Sequence, residues 1–198
     1  MEGTGARFAD HPTVEVRTWI DAPPARVWPL VCDITLMPET SDELQSVEWL
    51  DGATGPAPGA RFLGHNHHER VGSWTTTSSV VECDPGRVFG WAVGEVTEPI
   101  ARWRFRLSPE GGGTGLSEWV RLGPGRSRLR EAVERMPERE QEIVQVRLRE
   151  FERRMTTTLD HIKSRAERAW PDAADARAER GSPARVRLAY ESRALGHP

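Results

Sequence analysis

One apolar stripe near the end of the chain constrains its fold more than any other feature. Val144, Leu148, Phe151, Met155, Leu159, Ile162 and Ala166 follow one another at steps of four, three, four, four, three and four residues. That spacing puts all of them on one face of an α-helix. The residues between them are mainly Arg and Glu, so the opposite face reads as a solvated surface with i,i+4 pairs. Pro137, with Glu138 and Glu140 in the first turn, marks the start, and Pro171 marks the end. Roughly 30 residues at ~1.5 Å each make a helix about 45 Å long, enough to cross a whole sheet. The rest of the chain must cover that face, and its pattern is mostly strand.

Thr13 to Asp21 alternates and is rich in β-branched residues, so it reads as a first strand. Pro23 and Pro24 then suit a helix start, and Val27, Leu30 and Val31 form a short apolar stripe interrupted by Pro29. A second short helix is expected over Thr35 to Glu43. From residue 44 onward short strands alternate with turn signals: 44–50, 60–68, 73–83, 87–93, 100–107 and 115–122, with Asp84-Pro85-Gly86 and Gly111 to Gly113 as turns. Arg102, Arg104 and Arg106 alternate with Trp103, Phe105 and Leu107, the signature of an antiparallel strand with one face buried. Leu129, Val133 and Met136 mark a further short helix.

Composition narrows the class. A chain of 198 residues, 37% hydrophobic and 29% charged, suits one domain with a modest core. No apolar run approaches the ~20 residues needed to span a bilayer. Met1 to Asp10 lacks an apolar secretory core, so a cytoplasmic location is expected. A net charge of −3 argues against nucleic acid as a partner. Cys32 and Cys83 have no metal or redox spacing. No phosphate-binding glycine loop, nucleophile elbow or HExxH motif is present, so no cofactor is expected. There are eight Trp but one Tyr (Tyr190), one Lys (Lys163) and one Asn (Asn66). The expected organisation is a flexible lead-in over 1–11, one domain over 12–169 and a disordered Ala/Arg/Glu-rich tail over 170–198.

The order strand, two short helices, six strands, long helix resembles the helix-grip fold of the START-like (SRPBCC) superfamily. Within it the chain is similar to the polyketide cyclase/dehydrase and lipid-transport family. The local matches are VEVRTWIDAPPARVWPLVCD, GARFLGHN at 59–66, WTTTSSVVECDPG at 74–86, VFGWAV at 88–93, ARWRFRL at 101–107 and GGGTGL at 111–116, together with the long helix. The resemblance implies an α+β fold: a curved seven-stranded antiparallel sheet gripping the helix, with a cavity between them for a hydrophobic ligand. Some relatives cyclise or aromatise polyketides, and others carry lipids or dock on proteins. The family has no invariant catalytic triad to transfer.

Strand parity sorts the residues around such a cavity. Phe62, Gly64, Asn66 and His68 share one face of their strand, and Trp74, Thr76, Ser78 and Val80 share one face of theirs. Of these, Phe62, Asn66, His68, Trp74 and Thr76, with Trp91, Trp103, Phe105, Phe151 and Met155, are the expected lining, aromatic with a few polar contacts. The Trp side chains equally suit plain core filling. Asn66 either turns its amide to a ligand or bonds backbone at a bulge near Gly64. Leu116, Glu118, Val120 and Leu122 share a face, which turns Glu118 into apolar surroundings. Burial there would raise its pKa and suit it to proton exchange, making it the candidate catalytic residue. The alternatives are an Arg partner for Glu118, or a bulge that turns Trp119 inward instead. His65, His67 and Glu69 also share a face, but in a strand positions 65 and 69 are ~13 Å apart, too far for one metal ion, and none is expected.

Three functions remain open on these grounds. One is a cofactor-free polyketide cyclase or aromatase. The second is a non-catalytic carrier or sensor of a hydrophobic small molecule, and the third an interaction module with a filled core. Monomer and homodimer are both compatible with the sequence.

Overall fold

A computed structural model describes residues 6–69 and 72–168. The chain forms β1 (Thr13–Ile20), α1 (Pro24–Cys32), a 3-10 helix (Ile34–Thr40), β2 (Leu44–Trp49), β3 (Arg61–His68) and β4 (Gly72–Asp84). It continues through β5 (Val88–Gly94), β6 (Pro99–Glu110), β7 (Gly113–Leu122), α2 (Arg128–Arg135), a 3-10 turn (Pro137–Arg139) and α3 (Glu140–Arg168). The seven strands make one antiparallel sheet in the order β1-β7-β6-β5-β4-β3-β2. Strands β2 to β7 form a meander in chain order, and β1 closes on β7. The sheet edges are therefore β1 and β2, and α1 with the 3-10 helix carries the chain from one edge to the other. The sheet curves around α3, the α+β helix-grip architecture.

Alternation sets which residues enter the grip. On β6, Ala101, Phe105 and Leu107 are buried while Arg102 and Arg106 are exposed. On β7, Leu116, Glu118, Val120 and Leu122 are all buried, so the expected parity holds along that strand. Trp119 lies on the outer face, where the Arg104 guanidinium stacks 4.7 Å from its ring centroid. The α3 stripe turns inward, with Val144, Phe151, Met155, Leu159, Ile162 and Ala166 buried.

Three local features differ from the sequence expectation. The second short helix is a 3-10 helix that stops at Thr40 rather than reaching Glu43. Asp33 caps it by accepting from Thr35 N at 2.9 Å, and Ser41 Oγ then accepts from Leu44 N at 2.8 Å, which turns the chain into β2. This leaves Glu43 on a bend just ahead of a strand. Pro29 lies inside α1, beyond its first turn, because the helix starts at Pro24 and its apolar residues Val27 and Val31 are held by the core. Residues 6–11 of the expected flexible lead-in are seated on the domain: Phe8 is buried and its N–H donates to Glu140 Oε1 at 2.9 Å. The expected tail over 170–198 lies outside the described residues. Cys32 and Cys83 are free thiols, and no described helix is long and apolar enough to cross a membrane.

Candidate functional site

The grip is solid at one end and hollow at the other. At the solid end, Ile20, Val27, Val31, Ile34, Phe89, Phe105, Leu107, Leu116, Leu159 and Ile162 pack into one cluster. There α1 lies against α3, and Arg26 Nε donates to the Ala166 carbonyl at 3.1 Å. At the other end a cavity of about 800 Å³ opens between the sheet and α3. That is well above the few hundred Å³ below which an interaction module with a filled core would have been the better reading.

Most of the residues expected around a cavity meet there. From β3 come Phe62, Asn66 and His68, from β4 Trp74 and Thr76, from β5 Trp91, from β6 Trp103, from β7 Glu118, and from α3 Phe151 and Met155. Phe105 is the exception and corrects the expectation. It faces the same way as Trp103 but lies two residues nearer the solid end, 3% exposed and stacked into the core against Trp91 at 6.0 Å. Parity predicts which face a residue joins; it carries no information on the level along the strand at which packing gives way to space.

The aromatic lining is continuous. Trp91 and Trp103 stack with centroids 6.0 Å apart and an interplanar angle of 6°. Phe62 meets Trp91 edge-on at 6.3 Å, and Phe151 of α3 meets Trp103 at 5.1 Å and 80°. Trp49 extends the row behind Phe62 at 5.6 Å. These contacts brace the stacked Trp91 and Trp103 rings from both sides and give the cavity an aromatic surface that an aromatic or polyunsaturated ligand would lie against.

The polar groups on that wall are few. Both readings of Asn66 describe it in part: the side chain lines the cavity, yet its Nδ2 donates to the Gly64 carbonyl and to Thr76 Oγ1, each at 3.2 Å. The bulge nearby is on β2, where the register shifts between Leu44 and Ser46. Gly64 is required by close approach, since a Cβ there would fall 2.9 Å from Leu44 Cδ1 and 3.1 Å from Thr76 Oγ1. His65 and His67 point to the other face, where His65 Nε2 is 3.4 Å from Glu48 and His67 Nδ1 is 3.1 Å from Ser73 Oγ. Among the described residues no group of three or more His, Cys, Asp or Glu side chains is placed to hold a metal ion.

Among the described residues Glu118 is the one fully buried carboxyl on the cavity lining. It is 5% exposed and sits across from Phe105 and Val16 on the neighbouring strands. Its Oε2 is buried and has no hydrogen-bond partner among the described residues. The arginine partner considered for it does not approach; the β6 arginines alternate outward, away from the cavity. Burial pushes the carboxyl up to about 8, so it is largely protonated at neutral pH.

The mouth has a second carboxyl that sequence reasoning missed. Glu43 reaches over the lip to Arg154 Nη1 at 2.9 Å and Arg147 Nη1 at 3.3 Å. Burial pushes its carboxyl up, but the hydrogen bond from Arg154 and the charge and hydrogen bond of Arg147 outweigh that and hold it at about 2. Arg147, Glu150 and Arg154 had been assigned to the solvated face of the helix. They line the cavity because its mouth is wider than the apolar stripe, so the residues flanking the stripe form the lip. Arg128, at the start of α2, lies 5.1 Å over Trp74 on the same lining. One signal in the sequence pointed to Glu43: an acidic residue between a helix end and a strand, with arginines at the helix-spaced positions 147 and 154.

Fold and site together define a helix-grip domain built around a ligand-sized cavity, with a row of aromatic rings on its wall and polar and charged groups at its lip. The chain belongs to the polyketide cyclase/dehydrase and lipid transport family, whose model matches residues 11–167. Among solved structures it is similar to a polyketide-cyclase-like protein from Corynebacterium glutamicum, at 26% identity and a TM-score of 0.56, covering 90% of this chain and 98% of that one. It also resembles in fold the Zhui aromatase/cyclase of a Streptomyces species, at 19% identity and a TM-score of 0.54, covering 82% of this chain and 97% of that one. The di-domain ARO/CYC StfQ of the steffimycin biosynthetic pathway matches at 14% identity and a TM-score of 0.60, with 79% of this chain aligned to 50% of that one. Among curated proteins no sequence matches this chain.

Proposed function

We propose that this chain binds a small, mainly apolar and unsaturated ligand in the cavity, and that Glu118 exchanges a proton with a carbonyl or hydroxyl oxygen of that ligand. The observation that carries the reading is the buried Oε2 of Glu118, without a hydrogen-bond partner among the described residues, in the cavity that Trp91 and Trp103 also line. A neutral carboxyl costs far less to bury than a carboxylate, and it offers a donor that a ligand oxygen can accept. A carboxyl poised near neutrality can donate its proton to a carbonyl oxygen, and the carboxylate so formed can take up the proton released from the α-carbon, which leaves the enol and restores the acid. The cavity walls would supply the remaining catalysis by holding one folded conformation of the substrate. A protein of the same fold is named as an aromatase/cyclase, which supports the reading at the level of reaction class.

Native mass spectrometry of the purified chain tests the binding claim, with a co-purifying apolar small molecule as the expected result. Absence of any retained molecule, together with no change in Trp fluorescence on adding aromatic ligands, would sink it. Glu118→Gln separates catalysis from carriage. The variant is expected to keep ligand affinity and lose conversion of a poly-β-carbonyl substrate, whereas unchanged conversion would remove Glu118 from the chemistry.

A further inference from the structure

The cavity lip contains two arginines and, between them, a carboxylate of the chain itself. Arg147 and Arg154 lie two turns apart on α3 and both face the cavity. Arg154 Nη1 is 2.9 Å from Glu43 Oε2, while Arg147 donates through Nη1 to Glu43 Oε1 at 3.3 Å and through Nη2 to Oε2 at 3.4 Å. Arg147 Nη1 also donates to Glu150 at 2.9 Å, so that arginine stays anchored to its own helix whatever Glu43 does. Its guanidinium lies 4.5 Å over the Phe151 ring, placing a cation flat on the apolar wall. Arg154 Nε is buried, 4.0 Å from Asp42 Oδ2, and is not engaged in a hydrogen bond among the described residues. The two guanidiniums thus form a cationic receptor for a carboxylate.

Glu43 occupies that receptor from a bend rather than from a strand or helix. Its backbone is tied down separately, through Ser41 Oγ at 3.2 Å and the His67 N–H at 2.8 Å. Its side chain can therefore leave by rotamer change alone, without breaking the sheet. At the deep end of the cavity the Glu118 carboxyl has no cation beside it, so an acid entering the cavity is favoured head-out, with its charge at the lip.

We propose that Glu43 holds the place of the ligand's own acidic group: the cavity takes an amphipathic carboxylic acid, whose carboxylate replaces Glu43 between Arg147 and Arg154 while its apolar body lies along Phe151 and Trp103. This rests on the cavity being the ligand site. A ligand without a charged head leaves Glu43 where it is and gains nothing from the arginines.

The test uses a matched pair of fluorescent probes, 1-pyrenebutyric acid and 1-pyrenebutanol, which share one apolar body and differ in the carboxylate. The wild-type chain is expected to bind the acid more tightly, by about tenfold for one charge-assisted bidentate contact. Glu43→Gln removes the charge that competes for the receptor and is expected to tighten the acid severalfold, with a smaller effect on the alcohol. Arg147→Met and Arg154→Met are each expected to erase the preference, the acid losing more affinity than the alcohol. Equal affinity for the two probes in the wild type, or an acid preference that survives both arginine substitutions, overturns the proposal and leaves the cavity intact as a ligand site. Failure of both probes to bind overturns the cavity reading and this proposal with it. Circular dichroism checks folding. If an arginine variant does not fold, Glu43→Gln decides alone, and an unchanged acid affinity in that variant overturns the proposal.

Discussion

Trp103 and Phe105 are two residues apart on β6 and face the same way, yet one lines a cavity and the other is sealed in a core. The same division runs along α3, where Phe151 and Met155 border the space while Leu159 and Ile162 are packed on both sides. What differs is the layer opposite. At the solid end α1 and the start of the 3-10 helix bring Val27, Val31 and Ile34 into the gap between sheet and helix. At the hollow end the facing short helix is α2, which has no fully buried residue; its Leu129 and Val133 pack with Phe8, Val144 and Leu122 beside the cavity and leave the space between Trp103 and the lip open. Hollowness here comes from a thinner third layer rather than from unusual lining residues. The two ends should therefore respond in opposite ways to pH, to lost bulk and to added bulk.

The largest contrast concerns charge. Glu118 has a folded pKa near 8, against 4.5 for an ordinary carboxyl, so the folded chain holds a proton that the unfolded chain has released between those values. Stability should thus fall as pH rises from about 4.5 to about 8, and level off above that. The drop should amount to several kcal/mol and be visible in denaturant melts across the range. Glu118→Gln should flatten that slope and melt above the wild type at pH 8; a slope of unchanged size in the variant would place the titration elsewhere.

Removing bulk comes next. Leu159→Ala in the solid end should cost about 3 kcal/mol in chemical denaturation, from lost transfer energy plus a new void. Met155→Ala should cost less, about 1–2 kcal/mol, because that side chain already borders space and gives up fewer contacts. Equal costs would mean that the cavity is not open in solution. Adding bulk reverses the roles. Ala166→Leu should destabilise by about 2 kcal/mol through overpacking, whereas Ala101→Leu, on the cavity lining, should shift stability by under about 1 kcal/mol and abolish probe binding. A small effect also belongs to the lip. Glu43→Gln should cost about 1 kcal/mol at pH 7 through its weakened arginine contacts. Because the Glu43 pKa is depressed to about 2, its contribution is present above pH 4.5 and lost as pH falls toward 2, the opposite direction to Glu118.

The fold was legible because its signals are periodic. The α3 stripe and the Arg–Trp–Arg–Phe alternation of β6 each name a buried face with no tertiary information, and Glu118 was found the same way. Period alone could not separate Phe105 from Trp103, since both obey it and only the distant α1 decides which one is covered. Nor could it find Glu43 or the inward role of Arg147 and Arg154. The two arginines lie at helix-surface positions, and their partner Glu43 is more than a hundred residues away in the chain. The early end of the 3-10 helix at Thr40, set by capping at Asp33 and Ser41, freed Glu43 to reach them.

The central claim is a neutral carboxyl in the deep part of a ligand cavity. A carbon-13 NMR titration of the Glu118 side-chain carboxyl, assigned by its loss in Glu118→Gln, tests this most directly. The account predicts a midpoint near 8, with the signal still that of the protonated acid at pH 6. A midpoint near 4.5 would show a solvated or paired carboxylate and contradict it.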